Sequence, residues 1–289
     1  MEYQRTITCE HNFSGIGLHT GESASVKIKP TSVNSGIVFI RKDIPSSPQI
    51  PALVDNVINT CRGTSLCIDG IEIKTVEHIL SCLRGLCIDN ALIEVYGSEI
   101  PIMDGSSCCF VDSICSKGFQ EQSCERSFVT PKEPLYLSDN DSSIVLLPCD
   151  VFKITYVIDY NHPVLKTQME EILIEPRTYM NYICMARTYG FIEEVQYLLD
   201  NNLALGGRLD NALVIMKDGY SSPLRYNNEP VKHKILDLIG DISLLGAFLR
   251  GHIIAIKSSH KLNVEFVKLI KDRYLNSIYT FLENFYSGV

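Results

Sequence analysis

The stretches HILSCLRGLCIDNALIEVYGS (78–98) and HKILDLIGDISLLGAFLRGHIIAIKSS (233–259) decide how this chain folds. In each, a histidine opens a segment whose apolar residues recur every three or four positions, and this spacing predicts a helix. A strand-like run rich in Ile, Leu and Val comes next, and another helical pattern follows it. The similarity of the two stretches predicts two related α+β layers.

The rest of the chain supplies elements that fit these two layers. Alternating apolar residues predict strands at 24–30 and 36–42 in the first half, and at 143–148 and 151–160 in the second. Helical spacing predicts helices over 176–187, 193–202 and 230–246, and a closing helix that begins near Asn263. The polar segment 119–131 has no clear period, so we place a boundary there, between domains of residues 1–125 and 126–289.

Composition excludes several classes of protein. The net charge of −8 and the absence of a Lys/Arg run longer than a pair argue against nucleic-acid binding. The start MEYQRTITCE lacks the basic end and apolar run of a signal peptide, and no stretch is long and apolar enough for a membrane span. We therefore expect a cytoplasmic protein with no stable membrane insertion, whose 11 cysteines are mostly reduced.

Metal-binding side chains gather on the helix predicted after residue 230. His233 and Asp237 lie one turn apart and share a face, with Asp241 a further turn along. Ile235 and Leu238 lie on the opposite, apolar face of the helix, which would pack on the core. The imidazole and the carboxylates would then face a ligand or solvent. The spacing fits a metal pair, but a solvated polar face explains it equally simply.

Two other segments carry comparable chemistry. Glu77 and His78 open a predicted helix, and a histidine beside a carboxylate suits a catalytic zinc site, which needs a neutral ligand and a base. An acidic helix N-terminus favoured by the helix dipole is the simpler alternative. His260 follows a predicted strand, where a loop histidine is either a general acid or an ordinary surface residue.

Seven segments read together resemble one enzyme family. They are SGIGLHTGE (14–22), KTVEHILSCL (74–83), EIPIMDGSS (99–107), ARTYGF (186–191), LALGG (203–207), NEPVKHKILDLIGD (228–241) and KSSHKLN (257–263). The chain resembles the UDP-3-O-acyl-N-acetylglucosamine deacetylases of lipid A biosynthesis, from about Gln4 to the closing helix. The resemblance implies an α+β fold of two structurally related two-layer α/β sandwich domains, with the active site at their interface.

The resemblance also implies one catalytic Zn²⁺ ion. Its ligands would be His78, His233 and Asp237, with water in the fourth position. Two imidazoles and one carboxylate leave an open coordination site, as hydrolytic zinc requires. The same donor set also accepts ferrous iron.

The catalytic roles follow from the same motifs. The resemblance implies that Glu77 is the general base, that the Thr188 hydroxyl and the zinc hold the oxyanion, and that His260 protonates the departing amine. Asp241 would orient that histidine and raise its pKa, and Lys234 would add positive charge near the substrate. The substrate implied is UDP-3-O-acyl-N-acetylglucosamine, and the enzyme is expected to be a monomer with a single function.

Substrate contacts are implied for ten further residues, namely Tyr160, Tyr189, Phe191, Glu194, Lys257, Leu199, Leu203, Gly207, His19 and Asp104. Tyr160 would stack on uracil, although a strand aromatic in the core explains it as well. An inserted unit near 192–210 would form an acyl-chain passage, although its residues alone predict an amphipathic core helix. Gly-rich turn geometry explains the motifs of His19 and Asp104 nearly as well as substrate contact does.

Four positions depart from the usual family pattern, and two other functions remain open. Tyr189, Glu194, Leu147 and Ser259 stand where Phe, Asp, Lys and Gly are common in the family. None of them removes a metal ligand. The first alternative function is a zinc amidohydrolase acting on another acylated amino sugar, and the second is a non-catalytic binding module with structural zinc.

Overall fold

The computed structural model describes residues 2–276 as a mixed α/β fold. Its strands are β1 Tyr3–Ile7, β2 His11–Ile16, β3 Ser23–Pro30, β4 Ile37–Arg41, β5 Gln49–Pro51, β6 Val57–Asn59, β7 Ser65–Ile68, β8 Ile71–Ile73, β9 Ala91–Tyr96, β10 Phe119–Glu125, β11 Phe128–Val129, β12 Leu135–Asp139, β13 Ser142–Leu147, β14 Phe152–Ile158, β15 Gln168–Leu173, β16 Tyr189–Phe191, β17 Leu213–Met216, β18 Gly219–Tyr220, β19 Phe248–Leu249 and β20 Gly251–Ile256. Its α-helices are α1 Glu77–Gly85, α2 Cys108–Lys117, α3 Pro176–Tyr182, α4 Val195–Asp200, α5 Glu229–Ser243 and α6 His260–Lys271.

Two five-stranded sheets share one topology. Their strand orders are β2-β3-β9-β4-β5 and β12-β13-β20-β14-β15. In both, the central strand is the last of its sheet along the chain, and it pairs antiparallel with the second strand of that sheet and parallel with the third. Helix α1 precedes β9 and helix α5 precedes β20, so the two helices occupy equivalent places. The predicted α+β fold of two related halves is confirmed.

Helices α1 and α5 pack against each other in the interior. Every residue of α1 is buried, and so are both faces of α5 over most of its length. The helices approach so closely that a Cβ on Gly240 would lie 2.1 Å from the backbone oxygen of Glu77. This contact brings the start of α1 beside the middle of α5.

Several element limits differ from the sequence predictions. Helix α3 is shorter than 176–187, and α6 begins at His260 rather than near Asn263, because Ser259 caps its first turn by accepting a hydrogen bond from the Leu262 amide. The segment 119–131 contains two strands: β10 pairs with β1, and β11 pairs with β19. The limits 1–125 and 126–289 stay a prediction, and residues 277–289 of the second domain lie outside the described residues.

The unit near 192–210 is not a core helix. Helix α4 contributes no buried residue, and Ile192, Tyr197, Leu199, Leu205 and Leu209 are all exposed. The amphipathic spacing was therefore a poor guide to core packing here, because the apolar residues of α4 are partly or largely exposed. Within residues 2–276, no helix combines the length and apolar character needed to cross a membrane.

Candidate metal centre and active site

Helix α1 presents Glu77 and His78 at its first turn. The preceding Thr75 has a φ of 59°, which is strained for a β-branched residue. Its hydroxyl donates to the buried carboxylate of Glu99 at 2.7 Å. Glu99 also accepts hydrogen bonds from the backbone amides of His19 and Thr20. One buried carboxylate therefore fixes both the entry to α1 and the turn that carries His19.

Helix α5 presents His233, Asp237 and Asp241 to the interior rather than to solvent. His233 and Asp237 are each 3% exposed, and Asp241 is fully buried. The solvated-face alternative is therefore wrong, because α1 covers this side of the helix. A buried polar face of this kind must be satisfied by partners or by a bound ion.

The described residues include one group whose geometry suits a metal ion, namely His78, His233 and Asp237. Nε2 of His233 and Nε2 of His78 lie 3.3 Å and 3.7 Å from Oδ1 of Asp237. Tetrahedral zinc with ligand distances of about 2.1 Å separates its ligand atoms by roughly 3.4 Å. Oδ1 of Asp237 is buried and accepts no hydrogen bond from residues 2–276, so it is free to bind a cation.

The protonation states of these three residues also suit a metal. Burial, followed by the proximity of His233, lowers the pKa of His78 to about 3, and burial lowers the pKa of His233. Burial opposes ionisation of Asp237, but the neighbouring His233, Lys234 and His260 lower its pKa overall. Nζ of Lys234 lies 2.6 Å from Oδ2 of Asp237. Nδ1 of His233 faces the carbonyl of Ala186 at 3.0 Å, which leaves Nε2 for the metal.

Glu77 is poised to act as a base. Burial raises the pKa of its carboxyl to about 7. Oε2 accepts a hydrogen bond of 3.0 Å from the backbone amide of Thr64, and the side chain lines the same cavity as the three candidate ligands. A general base works best when its pKa lies near the operating pH.

His260 is held as a cation by Asp241. Burial alone would lower the pKa of this imidazole, but the carboxylate of Asp241, 2.8 Å from Nδ1, raises it to about 9. The hydroxyl of Thr64 and the amide of Asn263 also donate to Asp241, at 2.6 Å and 2.9 Å. The expectation of a loop position was wrong, because His260 is the first residue of α6 and is therefore held more rigidly than a loop residue.

A cavity of about 330 Å³ collects most of the predicted site residues. Those that line it are Glu77, His78, Tyr160, Thr188, Tyr189, Phe191, Glu194, His233, Lys234, Asp237 and His260. Tyr160 is half-buried, and its hydroxyl lies 3.0 Å from that of Tyr189. The alternative of a strand aromatic in the core is therefore wrong: Tyr160 lies two residues beyond β14, is only partly buried against the core and lines the cavity.

Other predicted contacts lie outside the cavity lining. The ammonium of Lys257 pairs with Asp141, and Asp104 pairs with Arg225 at 2.7 Å. Leu199, Leu203, Gly207 and His19 do not line the cavity either. Their assignment as substrate contacts stays a prediction.

The segment 203–207 nevertheless lies against the turn that carries His19. The amides of Leu205 and Gly206 donate to the carbonyls of His19 and Leu18, at 3.2 Å and 2.9 Å. A Cβ on Gly206 would lie 2.1 Å from the oxygen of Gly17. The inserted unit is therefore fastened to the first half of the chain through backbone contacts that need glycine.

Sequence reasoning missed two residues that organise the site. Thr64 bonds both Glu77 and Asp241, but it lies in a polar segment without periodicity, so nothing in the pattern marks it. Gly240 allows α1 to approach α5. An isolated glycine within a helical pattern is a usable sign of close backbone packing, and this sign was available.

Comparisons with known proteins agree with this geometry. A family model described as UDP-3-O-acyl N-acetylglycosamine deacetylase matches residues 4–272. A protein of Syntrophus aciditrophicus named UDP-3-O-acyl-N-acetylglucosamine deacetylase is 41% identical over 282 residues, covering 96% of this chain and 88% of its own length. One of the same name from Saccharophagus degradans is 42% identical over 287 residues, covering 96% and 93%.

Proposed function

This chain belongs to the UDP-3-O-acyl N-acetylglycosamine deacetylase family, and we propose that it removes the N-acetyl group of UDP-3-O-acyl-N-acetylglucosamine. The products are UDP-3-O-acyl-glucosamine and acetate, and the reaction is the committed step of lipid A biosynthesis. The observation that carries the proposal is the buried triangle of His78, His233 and Asp237. It opens on a cavity that also holds a carboxyl of pKa about 7 and an imidazole of pKa about 9.

We propose that His78, His233 and Asp237 hold a single zinc ion. Two neutral imidazoles and one carboxylate suit zinc, and three protein ligands are typical of a catalytic rather than a structural site. When bound, zinc polarises a carbonyl oxygen and lowers the pKa of water to about 7. A structural zinc module would have no use for Glu77, which is buried, close to the triangle and not one of the three ligands.

Proton transfer falls to two residues with opposite roles. Glu77 accepts a proton from the water that attacks the acetamide carbonyl, since its raised pKa makes it an effective base near neutral pH. His260 is protonated at that pH and donates to the glucosamine nitrogen as the C–N bond breaks. Asp241 is a positioning residue, because it touches His260 and not the cavity.

Thr188 and Lys234 stabilise the developing negative charge. Two hydrogen bonds fix the backbone of Thr188. Its amide donates to the carbonyl of Gly105 at 2.7 Å, and its carbonyl accepts from the amide of Leu213 at 2.8 Å. Neither bond uses the hydroxyl, which is free to donate to the oxyanion. Preorganised donors of this kind are worth about 10²- to 10³-fold in kcat.

Substrate recognition divides between one side of the cavity and the neighbouring unit at 192–210. Tyr160, Tyr189 and Phe191 form an aromatic cluster at one side, with Tyr160 and Phe191 ring centroids 5.1 Å apart, and we propose that it receives the uracil. The exposed apolar residues of the unit near 192–210 would receive the acyl chain. Each methylene buried there contributes about 0.8 kcal/mol, which makes chain length a strong selector. A cytoplasmic, monomeric enzyme is part of the same proposal.

The test combines two pairs of matched variants with a metal assay. Glu77→Gln and His260→Ala should each lower turnover at least 100-fold with zinc content unchanged. Glu265→Gln on the exposed side of α6 and His252→Ala on β20 are the matched controls, since neither residue lines the cavity, and both should keep normal turnover. Near-normal turnover in either active-site variant with metal bound would refute its assigned role.

A second comparison separates the alternative amidohydrolase. Turnover is measured on UDP-3-O-acyl-N-acetylglucosamine and on the corresponding free sugar, with and without chelator followed by zinc. The proposal predicts a strong preference for the UDP-linked substrate and loss of activity in chelator that zinc restores. An equal rate on the free sugar would favour an amidohydrolase of another acylated amino sugar.

A further inference from the structure

A second cavity lies at the opposite ends of α1 and α5 from the metal site. It also measures about 330 Å³, within the range of small-ligand pockets, and none of its lining residues lines the catalytic cavity. Helix α1 begins with Glu77 and ends with Gly85, and Arg84 in its last turn lines this cavity. Helix α5 ends with Ser243, which lines it as well.

Arg84 is a buried cation that forms no salt bridge within residues 2–276, and Asp89, which lines the same cavity, acts on it only at longer range. Its residue exposure is 7%, and its guanidinium donates to the carbonyl of Ala247 and stacks on the ring of Phe248, 3.8 Å from the centroid. Nε is buried and has no hydrogen-bond partner, and Arg84 makes no ion pair with any residue from 2 to 276. Buried charges in proteins are normally paired.

The neighbouring Arg126, by contrast, is paired with two carboxylates. Arg126 also stacks on the ring of Phe248, at 4.2 Å from the centroid, and pairs with Asp89 at 2.8 Å and with Glu2 at 3.0 Å. Both oxygens of Asp89 are engaged by Arg126, and one also accepts the amide of Arg5. Asp89, the carboxylate nearest to Arg84 in sequence, therefore forms its salt bridge with Arg126 and not with Arg84.

The cavity walls indicate what kind of anion would complete the site. Pro51, Ala52, Leu53, Leu80 and Leu83 supply apolar surface, while Gln4, Asn34, Asn90 and Ser127 are polar. Asp89 also lines the cavity, with its carboxylate paired to Arg126. The C-terminal ends of α1 and α5 both face this region, and their partial negative charge opposes anion binding, more strongly for a dianion than for a monoanion. One guanidinium balances one negative charge.

We propose that this cavity is a second ligand site, which binds a small monocarboxylate with an aliphatic body. The carboxylate pairs with Arg84, and the chain lies against the apolar wall formed by Leu80, Leu83 and Ala52. The site is separate from the deacetylation chemistry and does not depend on it.

The test is calorimetric titration of the metal-loaded full chain at low ionic strength. Hexanoate is the probe, and hexanamide is its neutral match of the same shape. Hexanoate should bind at least tenfold more tightly than hexanamide, acetate or inorganic phosphate. Arg84→Met should weaken hexanoate at least tenfold, and Ala247→Leu, which fills the cavity and leaves Arg84 in place, should do the same.

Turnover and circular dichroism check that both variants are folded. Since neither residue touches the catalytic cavity, deacetylase turnover should stay within twofold; if Arg84→Met fails to fold, Ala247→Leu decides the question. Equal binding of hexanoate and hexanamide, tighter binding of phosphate, or no binding to the unaltered chain would overturn the proposal. Hexanoate binding that survives Ala247→Leu would place the probe at the metal and would also overturn it.

Discussion

Replacing Gly240 by Ala tests whether the close approach of α1 and α5 sets the metal geometry. A Cβ at this position would lie 2.1 Å from the carbonyl oxygen of Glu77 and 2.9 Å from its Cα. The first contact is about 1.3 Å shorter than the ~3.4 Å at which ordinary van der Waals contact begins. Both atoms are backbone atoms, so the helices must separate by about that amount.

The separation acts directly on the catalytic residues. His78 follows Glu77 on α1, and Asp237 lies one turn before Gly240 on α5, so the distance between ligands grows with the distance between helices. A displacement of about 1 Å typically lowers turnover about 100-fold. Overpacking destabilises by roughly 1–3 kcal/mol, partly offset by the roughly 1 kcal/mol by which Ala is the better helix former.

We therefore expect Gly240→Ala to remain folded, to bind less zinc and to lose about 100-fold in kcat/KM. Zinc content by mass spectrometry, thermal unfolding and turnover on the UDP-linked substrate measure the three effects. Gly219→Ala is the matched control, since a Cβ on Gly219 meets nothing within 4 Å. Turnover of Gly240→Ala within threefold of the unaltered chain would refute the link between helix approach and ligand geometry.

Three further predictions concern metal, pH and a positioning hydroxyl. Removing the metal with a chelator should lower Tm by roughly 5–10 °C, because an ion present at 100 times its Kd adds about 2.7 kcal/mol to the stability of the folded state; an unchanged Tm, with the metal shown to be gone, would contradict this. Burial raises the pKa of Glu229, but Arg187, 2.8 Å away, outweighs it and holds the pKa below its ordinary value of 4.5. The pair stabilises the folded protein above about pH 4.5, and this contribution is lost as the pH falls through the folded-state pKa of Glu229. The fall in Tm between pH 7 and pH 4 should therefore be smaller in Glu229→Gln than in the unaltered chain. An equal fall in both proteins counts against this prediction. Thr64→Val removes the hydroxyl that bonds Asp241 but keeps the backbone amide that bonds Glu77, so kcat should fall about tenfold at normal zinc content, with Thr64→Ser restoring it; a normal kcat in Thr64→Val would show that the hydroxyl is dispensable.

Much of the fold was predictable because apolar periodicity reports on buried layers. The strands at 24–30, 36–42 and 151–160 and the helices α1 and α5 all bury one or both faces, so their spacing matched the structure. The pattern located helix α4 correctly but not its burial, since none of its residues is buried. It failed for β10, a strand at the surface whose residues are mostly exposed and polar, so burial left no mark on its sequence.

The candidate site was predictable to a different extent at each residue. His233 and Asp237 lie one turn apart, so their common face follows from helix geometry alone. That His78 joins them depends on how two distant helices pack, and only the family resemblance pointed to it. Thr64 could not have been found in either way, since its two hydrogen bonds join segments 13 and 177 positions away in the chain.

The contact of segment 203–207 with the turn at 17–19 has a practical consequence for exchanging this segment between relatives, as a test of its proposed role in acyl-chain binding would require. Gly206 touches Gly17 backbone to backbone, so a donor segment carrying any larger residue at that point would not settle into this recipient. A successful chimera must therefore move the receiving turn together with the segment, or keep both glycines. The two positions that must be exchanged together, Gly17 and Gly206, are nearly two hundred residues apart in the sequence.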